Sequence, residues 1–156
     1  MKSSYRFNLL DFSYIIMLIA QTLALQRINP GAIYITELAH GAGNNLQAYP
    51  ERPRVVISDD RAFASARFSI FRYDRGGFLN KIDTRKFLMV DDLGKLVLGP
   101  LPHTNFSLMG QEELLGIGLL LHNGEYILEL CADGLIGYKS RCLGARNVTL
   151  TYEEII

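Results

Sequence analysis

The sequence has no tryptophan, two cysteines and no excess of either charge. Lysine plus arginine total 16, as do aspartate plus glutamate, so the net charge is zero and no nucleic acid or anionic membrane is required as a partner. The lack of tryptophan disfavours a carbohydrate-stacking platform. Phe68, Phe71 and Phe78 are predicted to fill the core, whereas Tyr73 and Tyr138 are candidates for exposed contacts with a glycan or a protein.

No motif of a common catalytic or cofactor-binding class is present. The segment His40–Gly43 faintly resembles an oxyanion-hole loop, but the chain has no G-x-S-x-G nucleophile elbow. No glycine-rich loop opens a helix, which excludes a P-loop and a dinucleotide fingerprint. Asp59-Asp60 and Asp91-Asp92 lie at predicted turns, where aspartate bonds the local backbone. The prediction is therefore a protein without enzymatic activity and without a cofactor.

The N-terminal segment has the three-part layout of a secretory signal peptide. Lys2 and Arg6 are followed by 14 uncharged residues, Phe12–Leu25, with small side chains at Thr22 and Ala24. Residues 1–24 are accordingly predicted to be a cleaved signal; the alternative is a buried N-terminal helix or strand. The apolar run is shorter than the roughly 20 residues of a transmembrane helix, so no stable membrane span is expected.

The rest of the chain predicts β-structure. Residues 25–53 are interpreted as an N-terminal extended and loop segment, and residues 54–156 as a single all-β domain. With almost no helix expected beyond one turn at Gln111–Leu115, the pattern favours an antiparallel β-sandwich, or a barrel or β-trefoil-like domain of short hairpins. The predicted strands are Ala32–Ile35, Arg54–Ser58, Arg67–Tyr73, Phe78–Ile82, Phe87–Val90, Lys95–Leu98, Phe106–Met109, Leu119–Leu121, Tyr126–Leu130, Leu135–Tyr138 and Asn147–Tyr152.

The segment Leu119–Cys142 holds both cysteines and two turn dipeptides. Asn123-Gly124 and Asp133-Gly134 suit two-residue hairpin loops, so the segment is predicted to form a three-stranded antiparallel meander. A disulfide between Cys131 and Cys142 across the second turn would contribute about 3 kcal/mol in the chain-entropy model. Two free thiols are the alternative. Metal ligation is rejected because the three histidines lie in three different predicted loops: His40, His103 and His122.

Two N-glycosylation sequons are present. Asn105 and Asn147 each begin an N-x-S/T triplet without proline, near predicted strand ends. Together with the signal-like segment and an even number of cysteines, these sequons predict a secreted glycoprotein.

The chain also resembles fungal, especially yeast, secreted or cell-wall β-rich proteins. The resemblance covers Arg67–Tyr152 and rests on the hairpin Phe87–Gly99, then Tyr126, the two cysteines around Asp133-Gly134, and the closing strand Val148–Leu150. The chain departs from that family in having no Ser/Thr-rich stalk, and its end, YEEII, is not a GPI signal. The resemblance implies a freely secreted or non-covalently wall-associated protein, and it brings no catalytic residues.

The sequence as a whole predicts a secreted, non-enzymatic binding or structural protein of the cell wall or cell surface. Its expected partner is a cell-wall polysaccharide or a cell-surface protein. The alternative is a secreted β-trefoil or sandwich protein that acts as a ligand or inhibitor through its loops.

Overall fold

A computed structural model of the protein describes residues 27–38, 52–74, 76–112 and 116–155. The predicted signal peptide, His40 and most of the loop Glu37–Pro53 lie outside these residues. No described segment forms a helix that is long and apolar enough to cross a bilayer. The described residues form twelve strands: β1 (Arg27–Glu37), β2 (Arg54–Ser58), β3 (Arg61–Ser65), β4 (Phe71–Asp74), β5 (Phe78–Lys81), β6 (Phe87–Val90), β7 (Leu96–Gly99), β8 (Phe106–Glu112), β9 (Ile117–His122), β10 (Leu128–Leu130), β11 (Ile136–Gly137) and β12 (Arg146–Glu154).

Seven strands close into an antiparallel barrel. Their order is β1-β2-β3-β7-β6-β5-β4, and β4 returns to β1 through the pairs Pro30↔Arg72 and Gly31↔Phe71. The other edge of β1 pairs with β12 over seven positions. The strand β1 therefore belongs to the barrel, although the sequence placed it in a segment before the all-β domain. It belongs there because its backbone has partners on both edges.

The strand pairings repeat three times along the chain. The hairpins β2–β3, β6–β7 and β10–β11 meet one another through the bridges Arg61↔Val97, Lys95↔Gly137 and Phe63↔Leu135. The strands between the hairpins are linked as β12-β1-β4-β5 and β8-β9-β12. The ends of β5 and β8 meet where Phe106 N donates to Gly77 O at 3.0 Å. This arrangement is β-trefoil-like, and it confirms the predicted all-β class.

Gly77 shows how closely these strands approach. Its φ is +87°, and a Cβ there would lie 2.7 Å from Thr104 O and 2.8 Å from Phe106 O. Any other residue would push the start of β8 away from β5. The glycine of the predicted Asp74–Gly77 turn is thus also required by packing.

Alternating side chains fill the interior. In β12 the inward residues Val148, Leu150 and Tyr152 are each 0% exposed, and they face inward because successive side chains of a strand point to opposite sides. Ile33 and Ile35 of β1 are buried beside them. Each buried aliphatic side chain of this size contributes about 1.5–3 kcal/mol relative to exposure.

Two predictions about which aromatic side chains are buried are wrong. Phe71 is fully buried as expected, but Phe68 is 42% exposed and lies under the guanidinium of Arg54, 4.9 Å from the ring centroid. Tyr73, predicted to be an exposed contact residue, is buried with its ring 6.4 Å from that of Tyr152. Both errors arise because the predicted strand Arg67–Tyr73 begins too early. In the structure β4 begins at Phe71, four residues later.

The predicted meander is wrong in its pairing. The turn at Asn123-Gly124 forms, with φ of +52° and +78°, but β9 and β10 do not lie side by side. Both pair with the same edge of β12, β9 through Leu120↔Leu150 and β10 through Leu128↔Val148. They are arranged end to end because β12 is long enough to template both. Only the second hairpin, β10–β11, forms as predicted.

Other differences concern single elements. The strand β3 was not predicted, although the turn that precedes it was, and Asp59 and Asp60 occupy that turn with φ of +48° and +59°. Gln111 and Glu112 extend β8 instead of starting a helical turn, and residues 113–115 lie outside the described part of the chain.

Tyr152→Phe provides a test of the central packing. The Tyr152 hydroxyl lies 2.6 Å from Asn29 O and 3.1 Å from Phe71 O, so its one hydrogen is shared between a carbonyl of β1 and a carbonyl of β4. Its removal takes this donor away from the buried contact with Phe71 O and from the half-buried contact with Asn29 O, and we expect the free energy of unfolding in urea to fall by about 1–3 kcal/mol. Tyr126→Phe is the control: Tyr126 is 45% exposed, and its substitution should change stability by no more than about 0.5 kcal/mol. Equal effects of the two changes would contradict this packing.

Candidate functional site

An open groove of about 540 Å³ lies where the hairpin β6–β7 approaches the end of β9. Its walls come from four separate parts of the chain. The lining side chains are Val90, Asp91, Asp92, Leu93, His103, Asn105, His122, Asn123, Tyr138, Lys139 and Ser140. Strands that are distant in sequence thus bring aromatic, amide, carboxylate and hydroxyl groups to one concave surface.

Gly94 sets the distance between two walls of the groove. Its carbonyl accepts from Tyr138 N at 2.7 Å, and its φ is +74°. A Cβ at this position would lie 2.6 Å from Tyr138 O. The glycine of the Asp91–Gly94 turn is therefore needed for the hairpin β6–β7 to reach the segment after β11.

His122 forms the aromatic floor of the groove. It follows Gly118 and Leu120 on the inward face of β9, and its side chain is 3% exposed. Ring centroids of Tyr138 and Phe106 lie 4.5 and 5.1 Å from that of His122. A histidine thus occupies a position that the alternation of β9 assigns to a core residue.

Neither ring nitrogen of His122 has a hydrogen-bond partner among the described residues. Burial, followed by the influence of His103, lowers the pKa of His122 from 6.5 to about 4. The imidazole is consequently neutral at pH 7, with one nitrogen that donates and one that accepts. Buried polar atoms are nearly always paired, so the two nitrogens of His122 are exceptions within the described part of the chain.

His103 covers the same ring from the connection between β7 and β8. The two imidazoles are stacked at 7°, with centroids 6.0 Å apart, and Nδ1 of His103 is also buried without a partner among the described residues. The sequence placed His103 and His122 in unrelated loops, but His122 ends a strand and the fold brings the two rings together. The described residues contain no cluster of three or more metal-ligating side chains.

Polar groups line the rim of the groove. Asp91 is engaged locally, because its Oδ1 accepts from Leu93 N at 3.0 Å and from Lys95 N at 2.8 Å. Asp92, Asn105 and Asn123 are exposed. The turn chemistry predicted for Asp91-Asp92 is therefore realised by Asp91, while the carboxylate of Asp92 faces solvent.

The cysteine pair fixes the remaining wall. Cys131 and Cys142 are disulfide-bonded, with their Cα atoms 5.7 Å apart, inside the usual range of about 4.4–6.8 Å. This confirms the predicted pairing. The bridge ties the segment that contains Tyr138 and Ser140 to the end of β10, so it holds groove residues as well as the last hairpin.

The predicted glycosylation sites have different settings. Asn105 is exposed on the rim of the groove, where an attached glycan would stand over the opening. Asn147 lies half-buried in β12, and its carbonyl accepts from Leu38 N at 3.0 Å. Modification of either residue stays a prediction.

Sequence reasoning missed His103 and His122 as site residues. The one local signal for His122 is its place in the alternation Gly118, Leu120, His122, which predicts an inward side chain. Tyr138 was predicted as an exposed contact residue; it is half-buried and packs against His122.

The lowered pKa of His122 predicts a pH-dependent stability. Between pH 6.5 and about 4 the unfolded chain binds a proton that the folded protein does not, so stability is lost as the pH falls through this window. From pH 7 to pH 5 we expect the free energy of unfolding in urea to fall by about 1–2 kcal/mol through this residue. His122→Gln should abolish that fall, whereas His103→Gln should retain most of it. An unchanged fall in His122→Gln would show that other groups cause it.

Comparisons with known proteins identify no relative: no family model matches the chain, and no curated protein or solved structure is significantly similar to it. What the groove binds must therefore be inferred from its own side chains.

Proposed function

We propose that this protein is a secreted, non-enzymatic binding protein of the cell wall or cell surface, and that the groove over His122 binds a neutral, hydroxyl-rich ligand such as a segment of wall polysaccharide. The observation that carries the proposal is the buried, neutral His122 with both ring nitrogens unpaired among the described residues. A sugar hydroxyl both donates and accepts, so it pairs with either nitrogen of a neutral imidazole. Because both nitrogens are buried, binding requires the His103 ring that is stacked on His122 to move aside.

The walls of the groove favour the same ligand class. Tyr138 and His103 offer ring surfaces, and the exposed amide of Asn123 offers a donor and an acceptor. Such a combination of a few polar groups with apolar surface is typical of small-ligand sites. The groove carries no cluster of one charge, which fits an uncharged ligand.

Secretion is supported by independent features. The disulfide Cys131–Cys142 is typical of oxidising compartments, and the charged start and apolar run of residues 1–24 favour export. The resemblance to fungal cell-wall proteins points to glucan or chitin as the polysaccharide.

A second candidate function is that of a protein ligand or inhibitor that acts through its loops. It is favoured by three leucines at loop positions, Leu93, Leu101 and Leu143, which are 76%, 74% and 88% exposed. Exposed leucines of this kind are candidate contact residues for a protein partner.

Binding to insoluble glucan and chitin tests the proposal. We expect retention on one of them, competed by its soluble oligosaccharide. His122→Phe keeps an aromatic ring but removes both nitrogens, and we expect it to weaken binding about tenfold or more, since each lost hydrogen bond is worth about 0.5–1.5 kcal/mol.

Two exposed aspartates give a matched pair of variants for the same assay. Asp92→Ala removes a carboxylate from the rim and should weaken binding several-fold, whereas Asp83→Ala, with a side chain 78% exposed in the turn after β5, should have no effect. Absence of retention on both polysaccharides would contradict the proposal, and binding that the two variants weaken equally would exclude this groove.

A further inference from the structure

Lys95 places its ammonium group against one sulfur of the disulfide. Its Nζ lies 2.9 Å from Cys131 Sγ and 3.4 Å from Ser140 Oγ. The backbone of Lys95 is held by Asp91, whose Oδ1 accepts from Lys95 N at 2.8 Å, and by the bridge to Gly137. The ammonium is therefore positioned at Cys131 by the hairpin β6–β7, which does not itself contain a cysteine.

The carboxylate of Glu129, which lies at this corner, is engaged by Ser140. Glu129 Oε2 accepts from Ser140 N at 2.8 Å and from Ser140 Oγ at 2.6 Å. Ser140 Oγ in turn lies 3.9 Å from Cys131 Sγ. The negative charge of Glu129 is thus directed at Ser140, while the positive charge of Lys95 is directed at the sulfur.

The two cysteines differ in exposure as well as in their charged neighbours. Cys131 is 2% exposed, whereas Cys142 is half-buried and lies in the segment before β12. An incoming thiol can approach Cys142 more readily. The sulfur that would then leave is Cys131, which is the one beside Lys95.

The geometry points to a reducible disulfide with fixed polarity, in which an external thiol attacks Cys142 and Lys95 stabilises Cys131 as the leaving thiolate. A thiolate RS⁻ bonds to Cys142 Sγ while the Cys131–Cys142 bond breaks, and its electron pair stays on Cys131. A second RS⁻ attacks the RS sulfur of the mixed disulfide, releases the Cys142 thiolate and gives RSSR. Two thiols are oxidised and one disulfide is reduced, and exchange is faster when the leaving thiol has a lower pKa.

Reduction would also affect the groove, because the bridge holds the segment that carries Tyr138 and Ser140. The inference itself does not depend on the proposed function, since it concerns the reaction of the cysteine pair with thiols.

The pKa of Cys131 tests the role of Lys95. In a Cys142→Ser background the Cys131 thiolate can be followed by its ultraviolet absorbance as the pH is raised. We expect the pKa of Cys131 to be about one unit or more higher when Lys95→Met is added, because an opposite charge within contact distance favours the ionised form. Lys95→Arg should keep the lower value, and Lys139→Met, at a lysine that pairs with Glu125, should leave it unchanged. Equal values with and without Lys95 would overturn the inference.

The attack site is tested on the unmodified chain. The oxidised protein is treated with limiting glutathione, quenched in acid and mapped by peptide mass spectrometry. Glutathione on Cys142 is the expected result, with Lys95→Met reduced more slowly than Lys139→Met. Glutathione mainly on Cys131, or equal rates for the two lysine variants, would overturn the proposed polarity.

Discussion

The antiparallel pairing of β12 with β1 is the constraint on which the rest of the structure depends. β12 pairs with β1 along one edge over seven positions and with β9 and β10 along the other. β1 in turn pairs with β2 and β4. The last described strand thus joins β1 to β9 and β10, and its inward residues Val148, Leu150 and Tyr152 belong to the hydrophobic core.

The pairings of β12 with β9 and β10 also determine where the walls of the groove lie. Because β12 fixes the register of β9 through Leu120↔Leu150, His122 must point inward two residues later. The same strand fixes β10, and the disulfide carries that constraint to Tyr138 and Ser140. The hairpin β6–β7 meets this side through Gly94. The buried ring of His122, its aromatic neighbours and the contact of Lys95 with Cys131 therefore all depend on how β12 pairs with β9 and β10.

Local signals in the sequence predicted much of this structure. The strand Arg54–Ser58 has the predicted bounds, because β-branched residues between turn residues specify a strand without long-range information. The bridge Cys131–Cys142 was predicted because a tight turn separates the two cysteines by a short loop. The turn at Asn123-Gly124 was also correct, because its dipeptide determines backbone angles.

Pairing between distant strands could not be predicted in the same way. The dipeptide Asn123-Gly124 specifies a turn but not the partner of the strands on either side of it. β9 and β10 both pair with β12 and not with each other. The strand β3, Arg61–Ser65, has the sequence RAFAS, in which Phe63 is the one residue with a strong strand preference, so its sequence carries only a weak strand signal. The stacking of His103 on His122 brings the connection between β7 and β8 against the end of β9, and no local sequence pattern predicts such a contact.

The most direct test of the account is the nitrogen NMR spectrum of the His122 imidazole with and without a soluble wall oligosaccharide. In the free protein at pH 7 we expect a neutral ring, since burial lowers its pKa to about 4. Saturating glucan or chitin oligosaccharide should shift the His122 ring nitrogens, as expected when a hydroxyl pairs with them, while the ring stays neutral. An imidazole that is protonated at pH 7, or ring nitrogens that do not shift under conditions where the oligosaccharide binds, would contradict the central role given to His122.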